Sequence, residues 1–320
     1  MKILVTGGAG YIGSHVVRAL DHSGLDPVVL DDLSFGKSAR IGRTPLVSFD
    51  LASSEGVDQL LELFDEHQIE AVIHLAARKS VAESVENPDY YQQQNVGGVR
   101  NLLRAMNIAG ITKLVFSSSA AVYGSPENGQ VNEDYPCKPI NPYGETKLMG
   151  EQLIAQAMKD VGLKAVALRY FNVAGAGYPD LADSSVANLI PIALNAMRTG
   201  QPVRVFGTDW PTPDGSCVRD YIHVSDLADA HVQSLKYLDQ ENPKHMIFNV
   251  GTGKGSSVLE VVNTLSQVAG KEIAISKVAR RAGDPAALAA EVSRIKTEMG
   301  WQAKHNLLDI IQSAYEASSN

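Results

Sequence analysis

A tyrosine and a lysine four residues apart are the side chains most suited to acid–base chemistry. Tyr143 and Lys147 lie in the run NPYGETK, residues 141–147. Asn141 fits a helix N-cap and Pro142 a first helical residue, and the spacing then places both side chains on one helix face. A neighbouring ammonium and a helix N-terminus would each favour the phenolate. We therefore expect Tyr143 to act as a base at neutral pH.

Serines close the predicted strand that precedes this helix. Residues 116–124 read FSSSAAVYG, and the loop from Ser118 to Asn141 is long for a connection between elements, which indicates a functional or a disordered segment. Serines at strand ends are more often turn formers than catalysts. Here the loop begins at the carboxyl edge of the predicted sheet, where ligands of doubly wound α/β folds bind. The hydroxyl of Ser119 could therefore reach a substrate oxygen beside Tyr143.

Glycines cluster in residues 6–13, TGGAGYIG, between the first predicted strand and the first predicted helix. A helix N-terminus offers free N–H groups to a pyrophosphate, and glycines let the backbone approach it closely. Asp31 follows the next predicted strand, 18 residues after Gly13, where a carboxylate accepts ribose hydroxyls and repels a 2′-phosphate. The pattern predicts NAD rather than NADP; the alternative interpretation of Asp31 and Asp32 is a solvated turn.

The elements that must position these residues follow a strand–helix rhythm. β-branched runs alternate with amphipathic stretches, as in βαβ units on a parallel sheet. Predicted strands cover residues 3–6, 28–30, 46–49, 71–75, 114–117 and 165–169, and predicted helices cover 11–22 and 53–67, the latter with serine caps. We expect an α/β fold with a Rossmann-type doubly wound parallel sheet and a smaller C-terminal α/β domain. The predicted domains are residues 1–175 and 176–320, with the chain free to cross between them.

Composition argues against several classes of protein. The 320 residues carry 28 Lys and Arg against 36 Asp and Glu, a net charge of −8 without a basic run, which argues against nucleic-acid binding. No apolar stretch approaches the ~18 residues that span a bilayer. Cys137 and Cys217 are isolated, so we expect no metal site, and His74 and His223 are expected to have packing roles. The chain runs directly into a strand without a signal peptide, so we expect a cytoplasmic protein.

Several segments together carry a family resemblance. They are residues 6–13, 31–34, 74–77, 117–124, 141–147, 168–172, 217–224 and 280–284. Over nearly its whole length the chain resembles the extended short-chain dehydrogenase/reductases, and among them the UDP-glucose 4-epimerases. The resemblance implies a seven-stranded NAD-binding sheet, a C-terminal domain that closes over a nucleotide sugar, and a homodimer.

The resemblance also implies roles for individual residues. Tyr143 would be the base, Lys147 would bind the nicotinamide ribose and lower the pKa of Tyr143, and Ser119 would hydrogen-bond the sugar hydroxyl. The implied cofactor-binding set is Gly7, Gly10, Tyr11, Ile12, Gly13, Asp31, Asp50, Leu51, Leu75, Ala76, Ala77, Lys79, Asn95, Tyr143, Lys147 and Tyr170. The implied substrate-binding set is Ser119, Tyr143, Asn172, Asn188, Leu189, Arg219, Tyr221, Arg281 and Asp284. Arg219 and Arg281 would hold the diphosphate; the alternative for each is an ion pair with Asp220 or Asp284.

The expected reaction is NAD-dependent epimerisation at C4 of a UDP-sugar, UDP-glucose or UDP-galactose, through a transient 4-keto intermediate. Leu288 leaves open a preference for UDP-N-acetylhexosamines, and a UDP-pentose is a further alternative. A sugar-nucleotide 4,6-dehydratase is disfavoured because Ala120 and Ala121 stand where dehydratases carry an Asp-Glu pair. A non-catalytic NAD-binding sensor is also disfavoured, since it would need none of the three catalytic side chains.

Overall fold

A seven-stranded parallel sheet with flanking helices forms the centre of the first of two compact units. The computed structural model describes residues 1–127, 129–241, 243–281 and 283–318. Its strands are β1 Lys2–Thr6, β2 Asp26–Leu30, β3 Leu46–Val47, β4 Ala71–His74, β5 Lys113–Ser119, β6 Gln130–Val131, β7 Lys164–Tyr170, β8 Asn172–Ala174, β9 Val203–Phe206, β10 Val218–His223, β11 Ile247–Val250, β12 Gly255–Ser257, β13 Ile275–Val278 and β14 Ala287–Ala290. The large sheet has the order β11-β7-β5-β4-β1-β2-β3, which confirms the predicted fold class.

Helices fill the intervals between the strands. They are α1 Tyr11–His22, α2 Gly56–His67, α3 Val81–Glu86, α4 Pro88–Tyr91, α5 Gly98–Ala109, α6 Pro142–Val161, α7 Leu189–Thr199, α8 Val224–Leu238, α9 Val258–Ala269, α10 Ser293–Met299 and α11 Leu307–Ser318. Short 3-10 turns cover Ser38–Ile41, Ala120–Tyr123 and Pro179–Leu181, and a π-helical segment covers Gln92–Gly97. Among the described residues, no helix is both long and apolar enough to cross a bilayer.

The chain passes repeatedly between the two units. The first comprises Met1–Gly124, Cys137–Arg169 and Ala228–Phe248, and the second comprises Ser125–Pro136, Tyr170–Leu227 and Asn249–Asn320. The second unit holds a sheet of order β12-β10-β14-β6, in which β8 also pairs with β10, and a two-stranded sheet of β13 and β9. The division of ligand binding between residues 1–175 and 176–320 stays a prediction, since compactness does not say which segment binds what.

The start of α2 differs from the sequence prediction. The helix begins at Gly56 rather than Ser53, and neither serine caps it. Asp50 Oδ1 accepts the N–H of Ala52 at 2.9 Å, which holds residues 50–53 in a turn. A Cβ at Gly56 would lie 2.6 Å from the carbonyl oxygen of Leu51. The turn and this close approach therefore delay the helix, and β3 likewise ends at Val47 instead of residue 49.

The long connection from Ser118 to Asn141 contains short regular elements among its described residues. β5 continues through Ser119, a 3-10 turn follows, and β6 pairs in parallel with β14 in the second unit. The chain thereby contributes a strand to the second unit's sheet before it returns for α6. Both histidines expected to pack are strand residues, His74 in β4 and His223 in β10.

A buried ion pair ties α6 to β7 within the first unit. Arg169 donates from Nε to Glu151 Oε1 at 2.8 Å and from Nη2 to Oε2 at 2.5 Å, and both side chains are 5% exposed. Ser118 Oγ donates to the same carboxylate at 2.5 Å, which adds the end of β5 to the cluster. The guanidinium also lies 4.9 Å from the centre of the Tyr123 ring. The pair therefore fixes α6 against the strand end that carries the three serines.

Removing one member of the Arg169–Glu151 pair should lower the free energy of unfolding more than removing both members. Arg169→Met leaves a buried, uncompensated carboxylate, so we expect the free energy of unfolding to fall by about 3–5 kcal/mol. Arg169→Met combined with Glu151→Met should recover most of that loss, because neither member of this ion pair is then left buried without its partner. Urea denaturation measures both. Lys113→Met, at the more exposed pair with Asp239, is the control, with an expected loss of about 0–1 kcal/mol. A double variant as unstable as Arg169→Met would contradict this interpretation.

Candidate functional site

The start of α6 brings Tyr143 beside Ser119. Asn141 Oδ1 accepts the N–H of Gly144 at 2.9 Å with Pro142 at the first helical position, which confirms the predicted cap. A Cβ at residue 144 would lie 2.7 Å from the carbonyl oxygen of Ala121. Only glycine therefore allows the helix to begin this close to the turn after β5. The Ser119 hydroxyl consequently hydrogen-bonds the Tyr143 side chain.

The protein's own groups leave the Tyr143 phenol protonated at neutral pH. Burial raises the pKa of Tyr143, and the hydrogen bond with Ser119 lowers it only in part. Tyr143 is 9% exposed and a buried phenolate is poorly solvated, so the lowering of its pKa by Lys147 and an oxidised nicotinamide stays a prediction. The hydrogen bond of the Lys147 ammonium is made with a backbone group of β5: Nζ donates to the carbonyl oxygen of Ser117 at 2.8 Å.

Lys147 is a buried cation at the base of the site. Its side chain lies over the Phe116 ring, with Nζ 5.1 Å from the ring centre. Burial lowers the pKa of Lys147 to about 8, against an opposing contribution from Glu151. Burial and, secondarily, the charge of Lys147 lower the pKa of His74 to about 3, so this imidazole is neutral at physiological pH. Its Nδ1 hydrogen-bonds Thr6 Oγ1 at 2.7 Å, which gives it the expected packing role.

The glycine loop forms a cradle between β1 and α1. Gly7 has φ +71°, and a Cβ there would lie 2.7 Å from the Ala76 amide nitrogen. A Cβ at Gly13 would lie 2.1 Å from the Gly7 carbonyl oxygen. No side chain caps α1 at Gly10, so the first N–H groups of the helix keep their capacity to bind an anion. The cradle therefore fits a dinucleotide pyrophosphate.

Asp31 is buried, so it is not the solvated residue of the alternative interpretation. It is 6% exposed and accepts N–H groups from Ala9 at 3.0 Å and Leu33 at 2.9 Å. Burial raises the pKa of Asp31, while these N–H groups and the charge of Arg78 act in the opposite direction. The carboxylate thus lies against the glycine loop, where a ribose would follow the pyrophosphate. Asp32 is more exposed and pairs with Arg78 at 3.0 Å.

Asn95 joins the loop after β4 to α6. Its Nδ2 donates to the Arg78 carbonyl oxygen and to Thr146 Oγ1, both at 3.0 Å, and its Oδ1 accepts the Arg78 N–H at 2.8 Å. Thr146 Oγ1 donates in turn to the Tyr143 carbonyl oxygen at 2.8 Å. Sequence reasoning missed Arg78 and Thr146, although Thr146 lies inside the run that carries Tyr143 and Lys147.

The remaining expected cofactor residues of the first unit lie around the same sheet edge. Asp50 and Leu51 follow β3, with Asp50 Oδ2 accepting from Gln94 Nε2 at 3.0 Å. Leu75, Ala76, Ala77 and Lys79 follow β4, and the Ala76 N–H donates to Thr6 Oγ1 at 3.3 Å. The structure thus brings together the residues expected after β1, β2, β3, β4 and β5. Tyr170, at the end of β7, belongs to the second unit.

Arg219 and Arg281 lie in the second unit with different partners. Arg219 donates from Nη1 to the carbonyl oxygens of Val218 and Pro285 at 2.8 and 2.9 Å, and its Nη2 lies 3.6 Å from Asp284. Arg219 thus lies beside Asp284 as the ion-pair alternative expects, while its binding to a diphosphate stays a prediction. The Arg281 guanidinium carbon lies 3.9 Å from the centre of the Phe206 ring, an interaction that sequence reasoning missed.

Asp220 has a structural position instead of an ion pair. It is fully buried and accepts the N–H groups of Thr252, Gly253 and Ala290 at 2.8, 2.9 and 3.1 Å. Among the other expected substrate residues, Asn172 and Tyr221 are register partners in β8 and β10, and Asn188 and Leu189 begin α7. Burial raises the pKa of Tyr221, so its hydroxyl is protonated at neutral pH.

Known proteins resemble this chain over its full length. The model of the NAD dependent epimerase/dehydratase family matches residues 3–251. The chain is 47% identical to UDP-glucose 4-epimerase of Azospirillum brasilense over 319 residues, 98% of this chain and 90% of the relative. A UDP-glucose 4-epimerase structure from Stenotrophomonas maltophila, with bound NAD and formylated UDP-arabinopyranose, superposes with TM-score 0.94 at 39% identity, covering 100% and 98% of the two chains. A UDP-Glc/GlcNAc 4-epimerase from Campylobacter jejuni superposes with TM-score 0.86 at 36% identity, covering 99% of each chain.

The burial of Lys147 should lower stability at neutral pH. The unfolded lysine keeps its proton up to about pH 10.4, whereas the folded one loses it near pH 8, the folded pKa being about 8. Between these values the unfolded state binds more protons, so this group makes stability rise with pH. Lys147→Met removes the buried charge, and we expect it to be more stable at pH 7 by up to about 3 kcal/mol. The advantage should shrink as the pH rises from 8 to 10.

Urea unfolding of both proteins between pH 7 and pH 10 measures this difference, and other titrating groups cancel in the comparison. Lys159→Met, near the end of the same helix, is the matched control and should show no such pH-dependent gain. A gain for Lys147→Met that is constant across this range would contradict the burial of a charged ammonium.

Proposed function

The chain belongs to the NAD dependent epimerase/dehydratase family, and from that premise we propose that it is a UDP-glucose 4-epimerase. The reaction is NAD-dependent epimerisation at C4 of a UDP-sugar, which interconverts UDP-glucose and UDP-galactose. One observation carries the site assignment: Tyr143, Ser119 and Lys147 meet at the sheet edge that also holds the glycine cradle. Epimerases of that name match the chain over nearly its whole length, and one relative's structure holds NAD with a UDP-sugar derivative.

We assign NAD to the edge formed by the ends of β1, β2, β3 and β4. The backbone of Gly7, Gly10 and residues 11–13 binds the pyrophosphate, because the cradle leaves no room for side chains at Gly7 and Gly13. Asp31 accepts hydroxyls of the adenosine ribose, and Asp50 with Leu51 flanks the adenine. Lys79, Asn95 and Tyr170 are assigned to the nicotinamide half, and Lys147 to its ribose. Leu75, Ala76 and Ala77 complete the set.

Tyr143 exchanges the proton of the sugar hydroxyl. NAD held at the neighbouring cradle would supply the acceptor for the C4 hydride of the sugar and the donor for its return to the opposite face. Tyr143 receives the proton of the 4-hydroxyl as the hydride leaves, which yields a 4-keto sugar, and gives the proton back when the hydride returns. Ser119 hydrogen-bonds the same sugar oxygen. Because burial raises the pKa of Tyr143 and disfavours a phenolate, positive charge near the phenol is needed. We assign that role to Lys147 together with the oxidised nicotinamide.

The substrate must be held firmly at its diphosphate and loosely at its hexose, since the keto sugar has to turn over between the two hydride transfers. We assign the diphosphate to Arg219 and Arg281, whose forked guanidinium groups match phosphate oxygens. Asp284 already neutralises part of the Arg219 charge and holds its orientation. The other residues assigned to the nucleotide sugar are Asn172, Asn188, Leu189 and Tyr221.

The rival activities on this scaffold are less well supported. Elimination of water by a dehydratase needs an acid and a base, but Ala120 and Ala121 follow Ser119 and cannot transfer protons. A binding protein without catalysis would not require the Ser119–Tyr143 hydrogen bond. Activity on UDP-N-acetylhexosamines remains the principal alternative substrate range, since the Campylobacter jejuni relative is named a UDP-Glc/GlcNAc 4-epimerase. A UDP-pentose is the second alternative. A cytoplasmic location stays a prediction from the sequence, and a homodimer is proposed from the resemblance alone.

Removing the Tyr143 hydroxyl should abolish catalysis without unloading the cofactor. We expect Tyr143→Phe to lower the rate of UDP-galactose conversion by about 10²–10⁴-fold, the usual contribution of a positioned general base. NAD content should stay at the wild-type level, because the phenol contacts the sugar side. A coupled assay for UDP-glucose measures the conversion rate, and acid release of NAD measures the cofactor content. Tyr315→Phe in α11 is the control, and full activity of Tyr143→Phe would overturn the assignment.

The charge of Asp31 should set cofactor affinity. Asp31→Asn keeps the shape of the side chain but weakens its bonds to the ribose hydroxyls, so we expect about 10-fold weaker NAD binding and reduced discrimination against NADP. Isothermal titration with each nucleotide measures this change. Asp65→Asn, on the exposed end of α2, should bind as the wild type does. Unchanged NAD affinity in Asp31→Asn would place the ribose elsewhere.

A further inference from the structure

Arg78 joins two loops at the carboxyl edge of the first unit's sheet. It follows β4, and its guanidinium donates to Asp32 Oδ2 at 3.0 Å and to Ser34 Oγ at 2.9 Å in the loop after β2. The guanidinium carbon also lies 5.1 Å from the Phe35 ring centre and 5.5 Å from that of Tyr90. We refer to Arg78, Asp32, Ser34, Phe35 and Tyr90 as the Arg78 bridge.

The order of strands places this bridge across the glycine cradle. β1 lies between β4 and β2 in the sheet, and the glycine loop follows β1 directly. A connection from the end of β4 to the end of β2 must therefore pass the end of β1. The bridge shares this edge with Asp31, since Asp32 is its sequence neighbour and the charge of Arg78 acts on the pKa of Asp31, which burial raises.

Both ends of the bridge are held by further hydrogen bonds. The side-chain amide of Asn95 binds the N–H and the carbonyl oxygen of Arg78 at 2.8 and 3.0 Å. At the other end, Asp32 Oδ1 accepts from the N–H and the hydroxyl of Ser34 at 3.0 and 2.6 Å. The two loops are therefore preorganised for the contact, which reduces the entropy lost when it forms.

Exposure distinguishes the bridge from an ordinary surface ion pair. The Arg78 side chain is only 13% exposed, whereas Phe35 is 77% exposed and its ring faces the guanidinium rather than the core. Isolated surface pairs contribute little because both long side chains must be ordered. Here the Tyr90 ring and the fixed backbone help to order the arginine, so separating the loops after β2 and β4 breaks an ion pair, a hydrogen bond and the cation–π contact with Phe35 together.

We propose that the Arg78 bridge retains NAD by holding the loops after β2 and β4 together across its pyrophosphate. The proposal rests on the cofactor site assigned above. Bound NAD would leave only after the bridge opens, so the strength of the bridge sets the dissociation rate. Because the Asp32 carboxylate is partly exposed, salt should weaken the bridge and speed release. If contacts with the glycine cradle alone retained NAD, the effect of salt on its release would not depend on Arg78.

The experiment uses the full-length protein saturated with NADH and chased with excess NAD, while NADH fluorescence reports dissociation. Arg78→Gln and Asp32→Asn should each release NADH about 10-fold faster than the wild type, as expected for loss of a charged hydrogen bond. The double variant should be no faster than Arg78→Gln, because the two residues act through one contact. Release from the wild type should accelerate with salt, and release from Arg78→Gln should not. Arg43→Gln, an exposed arginine of the same unit, is the control.

Equal dissociation rates for Arg78→Gln and the control would overturn the proposal. So would a variant in which association slows while dissociation is unchanged, since that indicates a misshapen site and not a lost restraint. Failure of the wild type to bind NADH would instead refute the proposed function. Retention measured without UDP-sugar and turnover of UDP-galactose with added NAD therefore test the two hypotheses separately.

Discussion

The buried ammonium of Lys147 is the constraint on which the centre of the first unit depends. A charge removed from water needs polar partners, and the fold provides the Ser117 carbonyl oxygen and the face of Phe116. Glu151, one helical turn further along α6, supports the charged form. The site is thus organised around a group that is costly to bury, as expected where chemistry requires a cation in a fixed place.

That constraint extends outward through successive partners. Glu151 is itself buried and is balanced by Arg169 from β7, while Ser118 binds the same carboxylate. The three consecutive serines therefore bind three different side chains. The backbone carbonyl oxygen of Ser117 accepts from Lys147, the Ser118 hydroxyl donates to Glu151, and the Ser119 hydroxyl hydrogen-bonds Tyr143. A shift of β5 by one residue would reverse the faces of all three side chains. Neutral His74 completes the arrangement by packing without adding a second positive charge.

Local signals in the sequence were sufficient for much of this arrangement. The helix from Tyr11 to His22, the cap at Asn141 and the parallel sheet follow from periodicity and capping chemistry, which act over a few residues. The partner of Lys147, the burial of Asp31 and the position of Arg78 depend on which loops the sheet order brings together. Spacing along the chain does not fix that order, so these contacts were out of reach. The start predicted for α2 was wrong for a similar reason, since Asp50 closes a turn with the Ala52 N–H and the helix begins only after that turn, at Gly56.

Asn95 illustrates how a structural hydrogen bond can restrict recognition. Both N–H groups of its amide are committed, one to Arg78 and one to Thr146, and one lone pair of Oδ1 is taken by the Arg78 N–H. An amide flip would place donors against donors, so its orientation is fixed. What remains is a single acceptor lone pair. The Asn95 side chain can therefore recognise a ligand at this position only if the ligand offers a donor such as a hydroxyl to Oδ1. A ligand oxygen without a hydrogen would be repelled by the same side chain.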